Sequence, residues 1–244
     1  KHVFVEVCHQ HDDHNFSSAP HTLDRVREAI SEKAEILFVT LVQTKDGVIF
    51  AAPNDNLENI SSGEGCPGDY TAAQMRRLRI KSRGRVTSSR FATFEEMLKL
   101  GKGKLLFKVT RSLECAEKLE ELLDRLDAWE SVIFEVWNTD AVTRGYTGRI
   151  RKKLLSGEIL VTACGSNTDV WRMLPECTAE RNHIKMSDGN KEFPGRIFEA
   201  LMYGRLPDDQ SGWAKALDDG VTVFRTNRAE DLVRYLRKRK RRVR

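Results

Sequence analysis

The densest cluster of chemically capable side chains follows the first apolar run. Val3–Cys8 leads directly into His9, Gln10, His11, Asp12, Asp13 and His14. Alternate residues at a strand end point to one side, so the imidazoles of His9 and His11 are spaced to share a metal ion, with Asp12 and Asp13 as further donors. Such a centre needs ligands from later strands. The candidate strand ends offer Asn138, Asp140, Cys164, Ser187 and Asp188, and no second histidine pair. The plainer reading of the cluster is a solvated polar loop. Glu6 precedes His9 by an odd number of residues, which places the two on opposite faces of a strand and counts against a shared site.

Positive charge is concentrated in two places. Arg76, Arg77, Arg79, Lys81, Arg83, Arg85 and Arg90 put seven cations in fifteen residues, and Arg237, Lys238, Arg239, Lys240, Arg241, Arg242 and Arg244 put seven in the last eight. The net charge is +5, so removing the terminal seven leaves −2 for the rest. Blocks of like charge remain solvated or meet a polyanion, which makes RNA or an acidic protein surface the expected partner. The plainer reading of the first block is an exposed insertion whose arginines pair with acids of the body. No zinc finger, ribonucleoprotein aromatic signature or G-x-x-G clamp is visible, so any RNA contact would be driven by charge and shape.

The remaining composition bounds the setting. With 244 residues and 40% hydrophobic content the chain can bury a sizeable core. No apolar run approaches the ~20 residues of a membrane span. Five cysteines at scattered positions read as buried free thiols in a reducing intracellular compartment, a mitochondrion being one such setting. The chain begins at Lys1, and no targeting segment is visible.

Short apolar runs alternate with helical patterns. The runs Val3–Cys8, Ile36–Val42, Lys104–Val109, Ser131–Trp137, Glu158–Ala163, His183–Met186, Ile197–Tyr203 and Val221–Arg225 predict eight strands, continuous enough in apolar character to be parallel and buried on both faces. Helices are expected at Thr22–Lys33, Phe94–Leu100, Ser112–Leu126, Asn167–Met173, Gln210–Leu217 and Arg228–Leu236, with N-caps at Thr93, Ser112, Asn167 and Asn227. This rhythm predicts an α/β fold, a (β/α)8 TIM barrel over residues 1–236, with a basic insertion at about 53–90 after the second strand and a basic tail at 237–244. A doubly wound open sheet is the alternative.

Four motifs carry a resemblance. Thr44-Lys45-Asp46-Gly47-Val48-Ile49-Phe50 resembles the T-K-D-G-V-P-V segment of glycerophosphodiester phosphodiesterases, and Gly63-Glu64-Gly65 with Tyr70-Thr71 is similar to that family's short insertion. Arg90 to Leu98 resembles its R-I-P-T-L-E-E-V-L, and Asp219 to Arg228 its G-V-D-G-I-I-T-D-R-P. The resemblance runs in order from Cys8 to Leu236 and implies a (β/α)8 barrel.

The family's chemistry uses a histidine and an arginine in H-R-G, two acids on the second strand, a histidine in an H-D pair, and E-I-K on the third strand. The acids hold a divalent cation, calcium or magnesium, and the histidines serve as acid and base. His9 matches the first histidine here, but Gln10 replaces the arginine. Counting back from Thr44, the acid positions hold Phe38 and Thr40. The H-D pair is Pro53-Asn54, and the third-strand motif reads Leu106-Phe107-Lys108, keeping only the lysine. P-E-N-T is reduced to Pro20-His21-Thr22.

These replacements remove chemistry in one direction. A hard divalent ion needs several oxygen ligands, Phe and Leu supply none, and proline transfers no proton. His9 and Lys108 are then vestigial matches. The resemblance therefore predicts a pseudoenzyme with no cofactor and no small-molecule substrate, a structural subunit of an RNA-containing assembly such as an organellar ribosome. The opposing expectation is an active metal-dependent phosphodiesterase with a site rebuilt around His9 from Asp12, Asp13 or Glu6.

Overall fold

The computed structural model describes residues 3–8, 17–53, 56–136, 146–156, 160–163, 170–174, 197–201 and 207–239. The elements in chain order are β1 (Phe4–Cys8), α1 (Leu23–Ser31), β2 (Ile36–Gln43), β3 (Ile49–Ala51), α2 (Leu57–Ile60), α3 (Ala72–Met75), β4 (Lys81–Ser82), β5 (Arg85–Val86), α4 (Phe94–Gly101), β6 (Leu106–Thr110), α5 (Ala116–Leu126), β7 (Val132–Val136), α6 (Gly148–Ser156), β8 (Leu160–Ala163), β9 (Val170–Leu174), β10 (Ile197–Leu201), α7 (Gln210–Asp218), β11 (Val223–Arg225) and α8 (Ala229–Lys238).

The sheet runs β1-β11-β10-β9-β8-β7-β6-β2, and a β1–β2 pairing joins its ends, so eight strands close into a barrel. β3 adds antiparallel to β2 outside the ring. Seven barrel strands are parallel. β9 runs antiparallel to both β8 and β10. It occupies the stretch where a helix was expected at Asn167–Met173. Only residues 164–169 separate it from β8, too few for the crossover that two parallel neighbours require, whereas antiparallel neighbours need only a short turn. The run His183–Met186 lies outside the described residues.

Alternation along the strands sorts the core into two shells. Val5, Val7, Leu37, Val39, Phe107, Val109 and Phe134 face outward and pack with α1, α4, α5, α7 and α8 in the main apolar cluster. On α5, Leu119, Leu122 and Leu123 are buried as the 3.6-residue period requires. Leu113, within the helix expected from Ser112, is 41% exposed. It sits in a 3-10 turn, Ser112–Cys115, whose shorter period rotates it off that face.

The expected cap at Thr93 is present: its hydroxyl accepts from Glu96 N at 3.2 Å, and the Glu96 carboxylate accepts from Thr93 N at 2.9 Å. Two other caps differ. Ser112 is buried with its hydroxyl 2.5 Å from that of Tyr146, so it bridges to a distant residue instead of capping α5. Asn227 precedes the cap residue Arg228 and gives its backbone N–H to Asp208 at 2.8 Å. Asn167 lies outside the described residues. Cys8 and Cys115 are buried thiols, and burial pushes Cys115 up to about 12. Cys66 departs from expectation and is exposed, because it lies at the start of a surface turn.

Candidate functional site

The barrel interior is built in layers. Phe4, Ile36, Leu106, Ile133 and Val223 form an apolar floor at the strands' N-terminal ends. Two residues further along the strands, on the same side of each, stand Glu6, Phe38, Lys108, Glu135 and Arg225. Cys8, Thr40 and Thr110 follow above them. Strand register places Glu6 beside Arg225, Phe38 beside Lys108, and Thr40 beside Thr110. Glu6 and Lys108 are fully buried, and Glu135, Arg225 and Phe38 nearly so.

The charged members of the middle layer are joined. Lys108 Nζ lies 2.8 Å from Glu6 Oε2. Arg225 Nε donates to Glu6 Oε1, and Arg225 Nη2 lies 3.5 Å from Glu135 Oε1. The Phe38 ring lies against both cations, 4.0 Å from Arg225 Cζ and 5.6 Å from Lys108 Nζ. Burial alone would raise the Glu6 carboxyl, but Arg225 and Lys108 beside it outweigh burial and hold it below the usual carboxylate range. Among the described side chains of this layer, two acids face two bases.

These donors do not fit a divalent cation. Phe38 offers no oxygen and Thr40 a neutral hydroxyl, and Leu106 belongs to the apolar floor. The carboxylates of this layer, Glu6 and Glu135, are engaged by an ammonium and a guanidinium. Glu6, one of the residues named for a rebuilt site, is held here by Lys108 and Arg225. Among the described residues, no group of three or more His, Cys, Asp or Glu side chains could hold a metal ion. His9, His11, Asp12, Asp13, Asn138, Asp140, Cys164, Ser187 and Asp188 lie outside the described residues. Pro53 is described, half-buried just beyond β3, and its partner Asn54 is not.

Sequence reasoning passed over Glu135 and Arg225. Their signal was present: Phe-Val-Glu-Val, Ile-Phe-Glu-Val and Val-Phe-Arg each carry one charge inside an apolar run. A charge inside a buried strand needs an opposite charge inside another.

The basic insertion is folded, not a loose exposed segment. Val42, Phe50, Ala52, Leu57, Met75, Ile80 and Phe91 form a separate apolar cluster beneath it. The Thr44-Lys45-Asp46-Gly47 turn anchors it. Asp46 Oδ1 accepts from Thr44 Oγ1 at 2.6 Å and from Ala72 N, at the start of α3, at 2.8 Å, while Gly47 takes a φ of 83°. β4 and β5 form a hairpin whose tip, Arg83-Gly84, has φ of 50° and 71°, as a tight right-twisted turn demands.

Several of the insertion's cations are consumed in holding it. Arg76 pairs with Glu96 at 2.9 Å, and Arg79 donates to Ser88 O at 2.5 Å. Lys81 donates to Glu58 O, and Arg90 to Arg76 O at 2.9 Å. Arg83 and Arg85 are exposed at the hairpin, and Arg77 on the turn after α3. The side chains of Arg77 and Arg85 make no hydrogen bond or ion pair among the described residues. At the other end, Arg237 and Lys238 belong to the last turn of α8 and are exposed, so the helix runs two residues into the stretch expected as tail. Arg239 lies over the Tyr235 ring at 5.0 Å. Lys240, Arg241 and Arg242 lie outside the described residues.

The described strands define a closed eight-stranded α/β barrel with one reversed strand. Solved structures share this fold over nearly the whole chain. A glycerophosphoryl diester phosphodiesterase from Parabacteroides distasonis superposes with a TM-score of 0.74 at 15% identity, covering 98% of this chain and 87% of that one. A phosphodiesterase from Oleispira antarctica, solved in complex with the product sn-glycerol-3-phosphate, gives 0.69 at 15% identity and 96% of each chain. The glycerophosphodiester phosphodiesterase of Agrobacterium tumefaciens gives 0.65 at 11% identity, over 93% of this chain and 97% of that one. At such identities the likeness is one of fold. No protein-family model and no curated protein matches the sequence.

Proposed function

We propose that this chain is a catalytically inactive phosphodiesterase-like barrel, retained as a structural or interaction subunit of an RNA-containing assembly such as an organellar ribosome. The observation that carries the reading is the middle layer of the barrel, where Lys108 and Arg225 are ion-paired to Glu6 and Glu135 around Phe38. A divalent ion brought there would meet two positive charges, and the described carboxylates of the layer, Glu6 and Glu135, already face them. With Gln10 where the resembled family has its arginine, one group that would stabilise the charge developing on a phosphodiester under attack is replaced by a neutral amide.

The RNA half of the reading is supported by the insertion. No acid lies between Asp69 and Glu95, and Arg77 and Arg85 are exposed without partners among the described residues. A basic hairpin closely following Arg76 and Arg77 suits a phosphate backbone read by charge and shape.

The test has two parts. Purified protein incubated with glycerophosphodiesters and calcium or magnesium is expected to give no turnover above a protein-free control; turnover abolished by His9→Ala would overturn the inactive reading. Affinity for generic folded RNA is expected to fall steeply with salt and to weaken on removal of residues 237–244; binding indifferent to both would overturn the RNA reading.

A further inference from the structure

We propose that Arg225 and Lys108 are the barrel's own central cations: they tie its strands together through Glu6 and Glu135, as a coordinated ion would, so that the ring's interior charges are mutually satisfied without metal. The inference rests on the inactive reading above and extends it from what the interior lacks to what its charges do.

Position around the ring is the first argument. β11 and β7 stand on opposite sides of the eight-strand circle. Arg225 on β11 reaches both Glu6 on the adjacent β1 and Glu135 across the barrel on β7. Lys108 on β6 reaches over β2 to the same Glu6. Four strands are thus joined through one hub of charge. A side chain packing only against its neighbours would join two.

Chemistry supplies the second argument. Glu6 receives a cation on each carboxylate oxygen, the bridging mode a carboxylate adopts between two positive centres. The planar guanidinium offers several donors in fixed directions and so spans two carboxylates, which an ammonium does less well. Phe38 lies against both cations and keeps water from them.

Energetics makes the inference testable. Removing one member of a buried ion cluster strands an uncompensated charge, whereas replacing the whole cluster by apolar side chains is often neutral. Arg225→Met is therefore expected to lower Tm by roughly 10 °C, and Arg225→Lys to recover part of that loss. Glu6→Met/Lys108→Met/Glu135→Met/Arg225→Met is expected to melt well above Arg225→Met alone. Tm of the unaltered protein is expected to be the same in millimolar calcium and in EDTA, since no ion is gained or lost. Phe38→Glu/Thr40→Asp, which restores the two acids, is expected to gain no calcium-dependent rise in Tm until Arg225 is also removed.

Should Arg225→Met prove too unstable to purify, Glu135→Gln tests the same hub through its longer contact, with a smaller fall expected. The inference is overturned if Arg225→Met and Glu135→Gln melt like the unaltered protein, if the fourfold variant is worse than the single one, or if calcium raises the unaltered protein's Tm. These readouts are thermal, so they separate from the inactive reading: turnover without a calcium-dependent Tm would sink that reading and leave the hub standing.

Discussion

The guanidinium carbon of Arg225 lies 4.0 Å from the centroid of the Phe38 ring, with both side chains nearly excluded from water inside the barrel. A desolvated cation over an aromatic face is worth about 2 kcal/mol. Phe38→Leu keeps most of the apolar volume and loses the ring face, so it should cost about 2 kcal/mol in urea unfolding. Phe38→Ala should cost ~3–5 kcal/mol because it adds a cavity. A Phe38→Leu variant as stable as the unaltered protein, with only Phe38→Ala destabilised, would show that volume alone matters there.

Glu32 gives the protein a pH response away from the barrel centre. Burial, with the negative charges of Glu28 and Glu230 nearby, raises its carboxyl from 4.5 to about 7 against the opposing pull of Arg25. Glu28 is itself held in the ionised form, accepting from Ser17 N at 2.7 Å and Ser18 N at 3.1 Å. A raised folded pKa favours the protonated folded state, so the stability Glu32 contributes is complete below 4.5 and lost as pH rises through about 7. Glu32→Gln should therefore raise Tm at about pH 8 and leave it little changed at about pH 4. Melting curves across that range check the crossover.

Gly212, in the first turn of α7, has no room for a side chain. A Cβ there would lie 1.9 Å from the carbonyl oxygen of Pro207. The adjoining turn is dense with bonds: Asp209 Oδ1 accepts from Ser211 N at 2.8 Å, and Asp208 Oδ1 accepts from Trp213 Nε1 at 2.8 Å and Thr226 Oγ1 at 2.7 Å. Gly212→Ala should destabilise by ~1–3 kcal/mol, measured by urea unfolding, although alanine is the better helix former.

Arg77 and Arg85 allow the proposed RNA contact to be tested apart from the scaffold. Arg77→Glu/Arg85→Glu breaks no contact among the described residues, so it should leave Tm within about 2 °C while weakening RNA binding and flattening its salt dependence. Arg76→Glu, by contrast, loses the pair with Glu96 and sets two acids together, so it should lower Tm as well. Filter binding over a salt series, with melting curves alongside, distinguishes the two.

The sequence announced those parts of the fold whose cause is local. The leucine period of α5, the capping box at Thr93 and the apolar runs of β1, β2, β6 and β7 depend on near neighbours alone. β9 was hidden because Val170, Met173 and Leu174 have the spacing of a helix face, and only pairing with β8 and β10 overrides it. The central charges were hidden for a related reason. Glu6 and Arg225 are 219 residues apart, and closure of the ring is what brings them together. The insertion was legible as basic but not as folded, since the use of its arginines as internal ties emerges only from the cluster they cover.

The direction of β9 has a further consequence. In an all-parallel ring every strand delivers the residue after its last to the same rim, which is where barrel enzymes gather their reactive groups. With one strand reversed, that rim receives seven such positions, and the eighth is delivered to the opposite face. Of β9 it is the first residue, Val170, that stands toward the front rim, and the last, Leu174, toward the floor.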